Sequence, residues 1–163
     1  MIKGKIKPTW TINDYKKGPW RLHISPLSSF RTKQLNVNVF EHNIGVYINN
    51  DVEKKFISFA EKKFKLNHTV VAFNKMIPGQ ILPFHKDLYS TYIKKNRIKN
   101  KKNIVRIIIF LHDSLPGHQL WIEDKICTGP AGSYFGWKYG AKHMAANLGE
   151  QDRCVLQITG VKE

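Results

Sequence analysis

The sequence predicts a mainly β fold, a sandwich or jelly roll with one supporting helix. Three observations point there. From residue 68 onward, short apolar segments are divided by Gly and Pro turns such as Pro78-Gly79 and Pro116-Gly117, with Gly136, Gly140 and Gly149 near the bends, the punctuation of strands rather than helices. Only one stretch repeats apolar residues at helical spacing, namely Val52, Phe56, Phe59, Ala60 and Phe64. Ile104–Leu111 is a continuous apolar run apart from Arg106, as expected of a strand buried on both faces. A length of 163 residues fits one domain with a proper core, 1–163.

Taken in order, residues 1–67 form an N-terminal supporting segment. Turn formers at Gly18-Pro19, Ser25-Pro26, Ser28-Ser29 and Asn49-Asn50 divide it, with strands expected over Leu35–Phe40 and Ile44–Ile48. Asp51 reads as the N-cap of a helix over about 51–65, whose aromatic stripe packs on a sheet while Lys54, Lys55, Lys62 and Lys63 cover the opposite side. The β core, 68–163, follows. Thr69–Met76 runs to the Pro78-Gly79 turn, and Leu82–Leu88 comes next. After Ile104–Leu111 come Gln119–Glu123, Ser133–Trp137, Lys142–Asn147 and Arg153–Thr159. No internal repeat is visible, and short strands between Gly and Pro turns give a sandwich or jelly roll.

Charge narrows the partners rather than the reaction. Lys and Arg number 27 against 12 Asp and Glu, a net charge of +15, which favours association with polyanions. An amino-acid usage rich in Lys, Asn and Ile accounts for the same number. The densest block is 94–103, a basic loop containing Lys94, Lys95 and Arg97 and no acidic residue; it reads either as a lure for an acidic macromolecule or as a solvated connection. No apolar run reaches membrane-spanning length, and the basic first seven residues lack the apolar stretch of a secretory signal. Cys127 and Cys154 form no Cys-x-x-Cys pattern, so free thiols in a reducing cytoplasm are expected rather than a disulfide.

His85-Lys86-Asp87 carries the chemistry. Side chains two apart on a strand share a face, so His85 and Asp87 can meet one ion, with His143 on a late strand as the third ligand. Two histidines and a carboxylate with vacant positions opposite form the facial triad of non-haem Fe(II) oxygenases, whereas structural zinc takes four protein ligands. His-x-Asp alone is a weak signal; the turns bracketing it give it context. Arg153 then opens the last long strand, with Val155, Gln157 and Thr159 on its own face. An arginine at such a position needs an anion, and a carboxylate matches its fork.

With these residues in order, the chain resembles the 2-oxoglutarate and Fe(II)-dependent oxygenases. The resemblance covers about half the chain, residues 75–160, through Pro78-Gly79, Pro83-Phe84-His85-Lys86-Asp87, Val105–Leu111, Pro116-Gly117-His118, Gly132–Trp137, His143–Gly149 and Arg153. It implies a double-stranded β-helix, iron held by His85, Asp87 and His143, and Arg153 clamping the distal carboxylate of 2-oxoglutarate. It also implies O2 as cosubstrate, succinate and CO2 as products, and support by ascorbate. Small members resemble prolyl and aspartyl/asparaginyl hydroxylases, which makes hydroxylation of a protein or peptide side chain the expected reaction. The alternatives are oxidation of a nucleic-acid base or a small molecule, and a non-catalytic polyanion-binding β-sandwich. The dealkylases that act on nucleic acid typically carry a second arginine six residues after the clamp; here that position is Thr159.

Val155 stands where many members place Ser or Thr, so another hydroxyl must assist Arg153, with Tyr89, Thr91 and Tyr92 as candidates. Arg106 reads as a second anion clamp or as half of a structural ion pair with Asp113 or Glu123. Asn147 reads as a neighbour of the metal ligands or cosubstrate, or as a turn former. Trp137 lines the cavity or fills core. His112 and His118 read as surface or core residues, and His23, His42 and His68 have no evident partners.

Overall fold

The computed structural model describes residues 1–16, 18–24 and 44–162. The expected strand Leu35–Phe40 and His42 lie outside the described residues. Among the described residues eleven strands form two antiparallel sheets. In chain order they are Ile2–Lys5 (β1), Arg21–Ile24 (β2), Gly45–Asn49 (β3), Leu66–Met76 (β4), Ile81–His85 (β5), Ile104–Phe110 (β6), His118–Ile122 (β7), Lys125–Ile126 (β8), Ser133–Lys138 (β9), His143–Asn147 (β10) and Arg153–Lys162 (β11). The larger sheet has the order β1-β9-β6-β11-β4-β3-β2, and the smaller one β5-β10-β7-β8. The mainly β expectation holds. The N-terminal segment lies within the sheet as well as against it, because β1, β2 and β3 extend the larger sheet at its two edges. Strands β1, β2 and β8 are short and half polar, with little apolar alternation to announce them.

Among the described residues three helices accompany the sheets: Ile12–Lys16 (α1), Lys54–Phe64 (α2) and Ser90–Asn96 (α3). Helix α2 is the expected amphipathic one, but it starts two residues late for an Asp51 cap. Glu53 is the N-cap, without a side-chain cap bond, and the Asp51 amide instead donates to Asn49 Oδ1 at 2.9 Å. A local turn has outcompeted the cap, as short polar side chains near helix starts readily allow. Helix α3 and a 3-10 turn at Lys101–Asn103 replace the structureless basic loop expected over 94–103. None of the described helices is long and apolar enough to cross a membrane.

Strand alternation sorts the core into two layers. Cys154, Leu156 and Ile158 of β11 join Val105, Ile107 and Ile109 of β6 and Val71 and Phe73 of β4 beneath Phe56 and Ala60 of α2. Their neighbours Val155, Ile108 and Phe110 point the other way, toward Leu120 and Ile122 of the smaller sheet. Phe73 centres the first layer, 1% exposed and edge-on to Phe56 at 5.2 Å. Phe73→Ala should therefore lower the unfolding free energy by about 3–5 kcal/mol, the usual cost of an aromatic cavity, read from urea denaturation.

Cys127 and Cys154 are free and buried. Burial pushes both thiols up to about 11. The unfolded thiols ionise near pH 9, so between pH 9 and 11 the folded chain holds more protons than the unfolded one. Stability is then fully present below pH 9 and falls as pH rises to 11. The loss should be on the order of 2 kcal/mol per thiol. Thermal melts across this window should show it beginning below the range of the tyrosines, and Cys127→Ala/Cys154→Ala should flatten that first limb.

Candidate metal centre

The smaller sheet places two histidines side by side. Strands β5 and β10 pair antiparallel with His143 opposite His85, and the imidazole centroids lie 4.3 Å apart. Strand β5 ends at His85, so Asp87 lies beyond the expected strand Leu82–Leu88. Strand alternation therefore does not deliver the carboxylate; the turn into α3, with Tyr89 left-handed at φ 54°, follows it. Asp87 Oδ1 lies 3.7 Å from His85 Nε2, and Oδ2 lies 3.5 Å from His143 Nε2. The three ligand atoms all fall within 4.8 Å of one another. Ligands on one ion at about 2.1 Å sit roughly 3.0–3.4 Å apart, so small side-chain shifts suffice to close the set.

Backbone carbonyls orient both rings. His85 Nδ1 bonds the Pro83 carbonyl at 2.7 Å, and His143 Nδ1 bonds the Ala141 carbonyl at 3.1 Å. A carbonyl only accepts, so each Nδ1 carries the proton and each Nε2 turns its lone pair to the centre. Burial lowers His143 to about 4, keeping it neutral near pH 7. Burial also depresses His85, but the neighbouring Asp87 carboxylate and the Pro83 bond outweigh that and leave it raised. Burial alone would raise Asp87; the adjacent His85, Arg106 and His143 hold it well below the usual carboxylate range. The centre thus offers one carboxylate and two oriented imidazoles.

The triad opens on a cavity of about 490 Å³ whose wall also includes Arg153, the first residue of β11. Arg153 is 5% exposed. Its Nη1 touches Met76 Sδ at 3.9 Å, its guanidinium lies 5.9 Å from the Phe110 ring, and its Nη2 has no hydrogen-bond partner. Among the described residues no carboxylate pairs with it, and burial lowers it to about 10. A buried cation left unpaired in this way carries a desolvation cost that an anion in the cavity would offset.

No protein-family model matches this sequence, and no curated protein does either. Solved structures do match in shape. A prolyl-4-hydroxylase from Pseudomonas putida is similar at 14% identity, over 93% of this chain and 97% of that one, with a TM-score of 0.57. KdgF from Halomonas sp. is similar at 11% identity over 89% of each chain, with a TM-score of 0.48. The fold is a double-stranded β-helix.

Within this double-stranded β-helix the remaining candidates separate. Arg106 of β6 lines the cavity, and its ion partner is Asp87, with Nη2 3.4 Å from Oδ2, rather than Asp113 or Glu123. Asp113 instead accepts from the Ala131 amide at 2.7 Å. Trp137 lines the cavity and fills core together, 5% exposed with its ring 4.4 Å from that of His143. Tyr89 places its ring under Arg106 at 5.0 Å, and burial pushes its phenol far up.

Other candidates lie elsewhere. The Tyr92 hydroxyl donates to the His68 carbonyl at 2.9 Å and is not part of the cavity wall, so it is not placed to assist Arg153. Asn147 is fully buried, with its amide nitrogen donating to the Met76 and Gln151 carbonyls and its oxygen accepting from Gly149. It staples turns and does not line the cavity. Thr91, Lys94, Lys95 and Arg97 are exposed outside the cavity wall. His112 accepts the Cys154 amide and His118 bonds the Gln151 carbonyl, both structural roles.

Four polar cavity residues had no such role assigned from sequence: His23, Asn74, Lys86 and Gln157. Gln157 was expected on the face of Arg153, and its partner Asn74, donating at 2.9 Å, follows from the pairing of β11 with β4. Only that pairing could have signalled Asn74. His23 reaches the wall from the edge strand β2, which no local pattern marks.

Proposed function

We propose that the protein is an Fe(II)- and 2-oxoglutarate-dependent dioxygenase that hydroxylates a protein or peptide side chain. One observation carries this reading: an ionised carboxylate between two oriented imidazoles shares a cavity with a buried arginine that has no anionic partner among the described residues. The donor set fits Fe(II), since His85, Asp87 and His143 would occupy one side and leave positions for cosubstrate and O2. When bound, the iron and 2-oxoglutarate supply the oxidation, with one oxygen going to substrate and one to succinate.

The chain's own part is placement. Arg153 would hold the distal carboxylate of 2-oxoglutarate and so fix the reach of its other end toward the triad. Asn74 Oδ1 is another of the buried polar atoms without a partner on that wall, beside those of Asp87, Arg106, Trp137 and Arg153. It is an acceptor, so the hydroxyl expected to replace Ser or Thr at Val155 has no counterpart among the wall residues named here. Trp137 and the apolar side chains Val155, Ile108 and Leu120 would keep water from the reacting centre. The resemblance in shape to a protein described as a prolyl-4-hydroxylase supports the choice of a hydroxylase.

The test is direct. Protein incubated with Fe(II), ascorbate and 2-oxoglutarate should form succinate, and candidate peptides should gain the mass of one oxygen. Absence of succinate with any peptide or nucleic acid, from protein that binds neither metal nor 2-oxoglutarate, would leave the polyanion-binding sandwich as the better account.

A further inference from the structure

The cavity holds more positive charge than the proposed iron and cosubstrate use. Its wall carries Lys86, Arg106 and Arg153 against a single carboxylate, Asp87. A divalent ion adds two positive charges and a dicarboxylate removes two, so the excess of two cations is the same in the loaded and unloaded protein. Concentrated positive charge in a partly desolvated site attracts an anion strongly.

Two groups remain for that anion once Arg153 is engaged. Arg106 uses Nη2 on Asp87, while its buried Nε has no hydrogen-bond partner. Lys86 sits between two of the triad residues in sequence, lines the cavity, and forms no ion pair among the described residues. On the dioxygenase reading above, we propose that Lys86 and Arg106 form a second anion subsite that receives a carboxylate of an acidic peptide substrate.

The chemistry of the wall selects a carboxylate over a nucleobase. Recognition of a base is strengthened by a free aromatic face on which to stack. Trp137 is 5% exposed and packed on His143, and the Tyr89 ring lies under the Arg106 guanidinium. Neither offers a free face. The surrounding chain has the same sign as the subsite: no acidic residue occurs between Asp87 and Asp113, while Lys94, Lys95, Arg97, Lys99, Lys101 and Lys102 do. A continuous positive field of this kind raises the encounter rate of an acidic partner.

Calorimetric titration decides the matter, with Mn(II) and 2-oxoglutarate added first, then pentaglutamate, pentaglutamine or the oligonucleotide (dT)5 as probe. Pentaglutamate should bind about 10-fold or more tighter than either other probe. Lys86→Gln should weaken it by about 10-fold or more, as loss of a charged hydrogen-bonding partner does. Arg106→Gln should weaken it too, while Lys99→Gln on the outer surface should change it less than about 2-fold. Tighter binding of (dT)5 would overturn the proposal in favour of nucleic acid. An equal, small effect of all three substitutions would overturn it in favour of diffuse attraction by the whole chain. Failure of the first additions to bind would strike the dioxygenase reading instead. On unloaded protein, where Arg153 is also unpaired in the cavity, the same probes would be compared between Lys86→Gln and Arg153→Met: weakening in Lys86→Gln alone upholds the subsite, and weakening in Arg153→Met alone overturns it.

Discussion

Asp87→Asn and His143→Ala should each abolish 2-oxoglutarate turnover, by about 10³-fold or more, because each leaves two ligands where three are needed to hold the ion in place. Binding can be read without turnover. For the parent protein, a divalent ion at 100 times its dissociation constant should stabilise by about 2.7 kcal/mol, a rise in melting temperature that both variants should lack. The two should differ without metal. In Asp87→Asn the Arg106 guanidinium, 3.4 Å from the carboxylate, loses its only ion partner among the described residues, and the unloaded protein should be destabilised by about 1–3 kcal/mol. His143→Ala removes a ring packed between Trp137 and His85, a packing loss of about 2–4 kcal/mol. Undiminished turnover in either variant would remove that residue from the ligand set.

Arg153→Met should separate function from stability. In the protein without ligand, Arg153 is 5% exposed, and its Nη2 has no hydrogen-bond partner. Replacing a buried unpaired cation with an apolar side chain of similar length removes a desolvation cost. Unloaded Arg153→Met should therefore melt higher than the parent, by about 1–2 kcal/mol. Its affinity for 2-oxoglutarate should fall by about 30-fold or more, since losing one partner of a buried charge pair costs about 2–5 kcal/mol. Titration of Mn(II)-loaded protein with 2-oxoglutarate reads the second effect, and thermal denaturation of unloaded protein reads the first. A variant that melts lower and binds 2-oxoglutarate unchanged would show Arg153 to be structural, leaving Arg106 as the remaining cavity arginine.

Local patterns carried much of this molecule. The apolar run Ile104–Leu111 and the alternation of Arg153–Thr159 each predicted a strand, and β6 and β11 are now central in the larger sheet. The turns at Pro78-Gly79 and Pro116-Gly117 fall where expected, because Gly79 and Gly117 take φ near 85°, a conformation that favours glycine. The helix cap failed because Asn49 offers a competing oxygen nearby. Tyr92 and Asn147 lie near the site in sequence but spend their polar atoms on backbone partners. Proximity along the chain says little about which carbonyl a side chain will find.

The sequence by itself determined the strand-rich architecture and the order of the candidate ligands, since alternation, turn residues and short motifs are local properties. The meeting of His85 with His143 is decided by the register of β5 against β10. The pairing of Arg106 with Asp87, and the isolation of Arg153 from every described carboxylate, were decided only when the two sheets faced each other. Those facts depend on which strands become neighbours and at what offset. Contacts across dozens of residues set that offset, so no window of the chain encodes it.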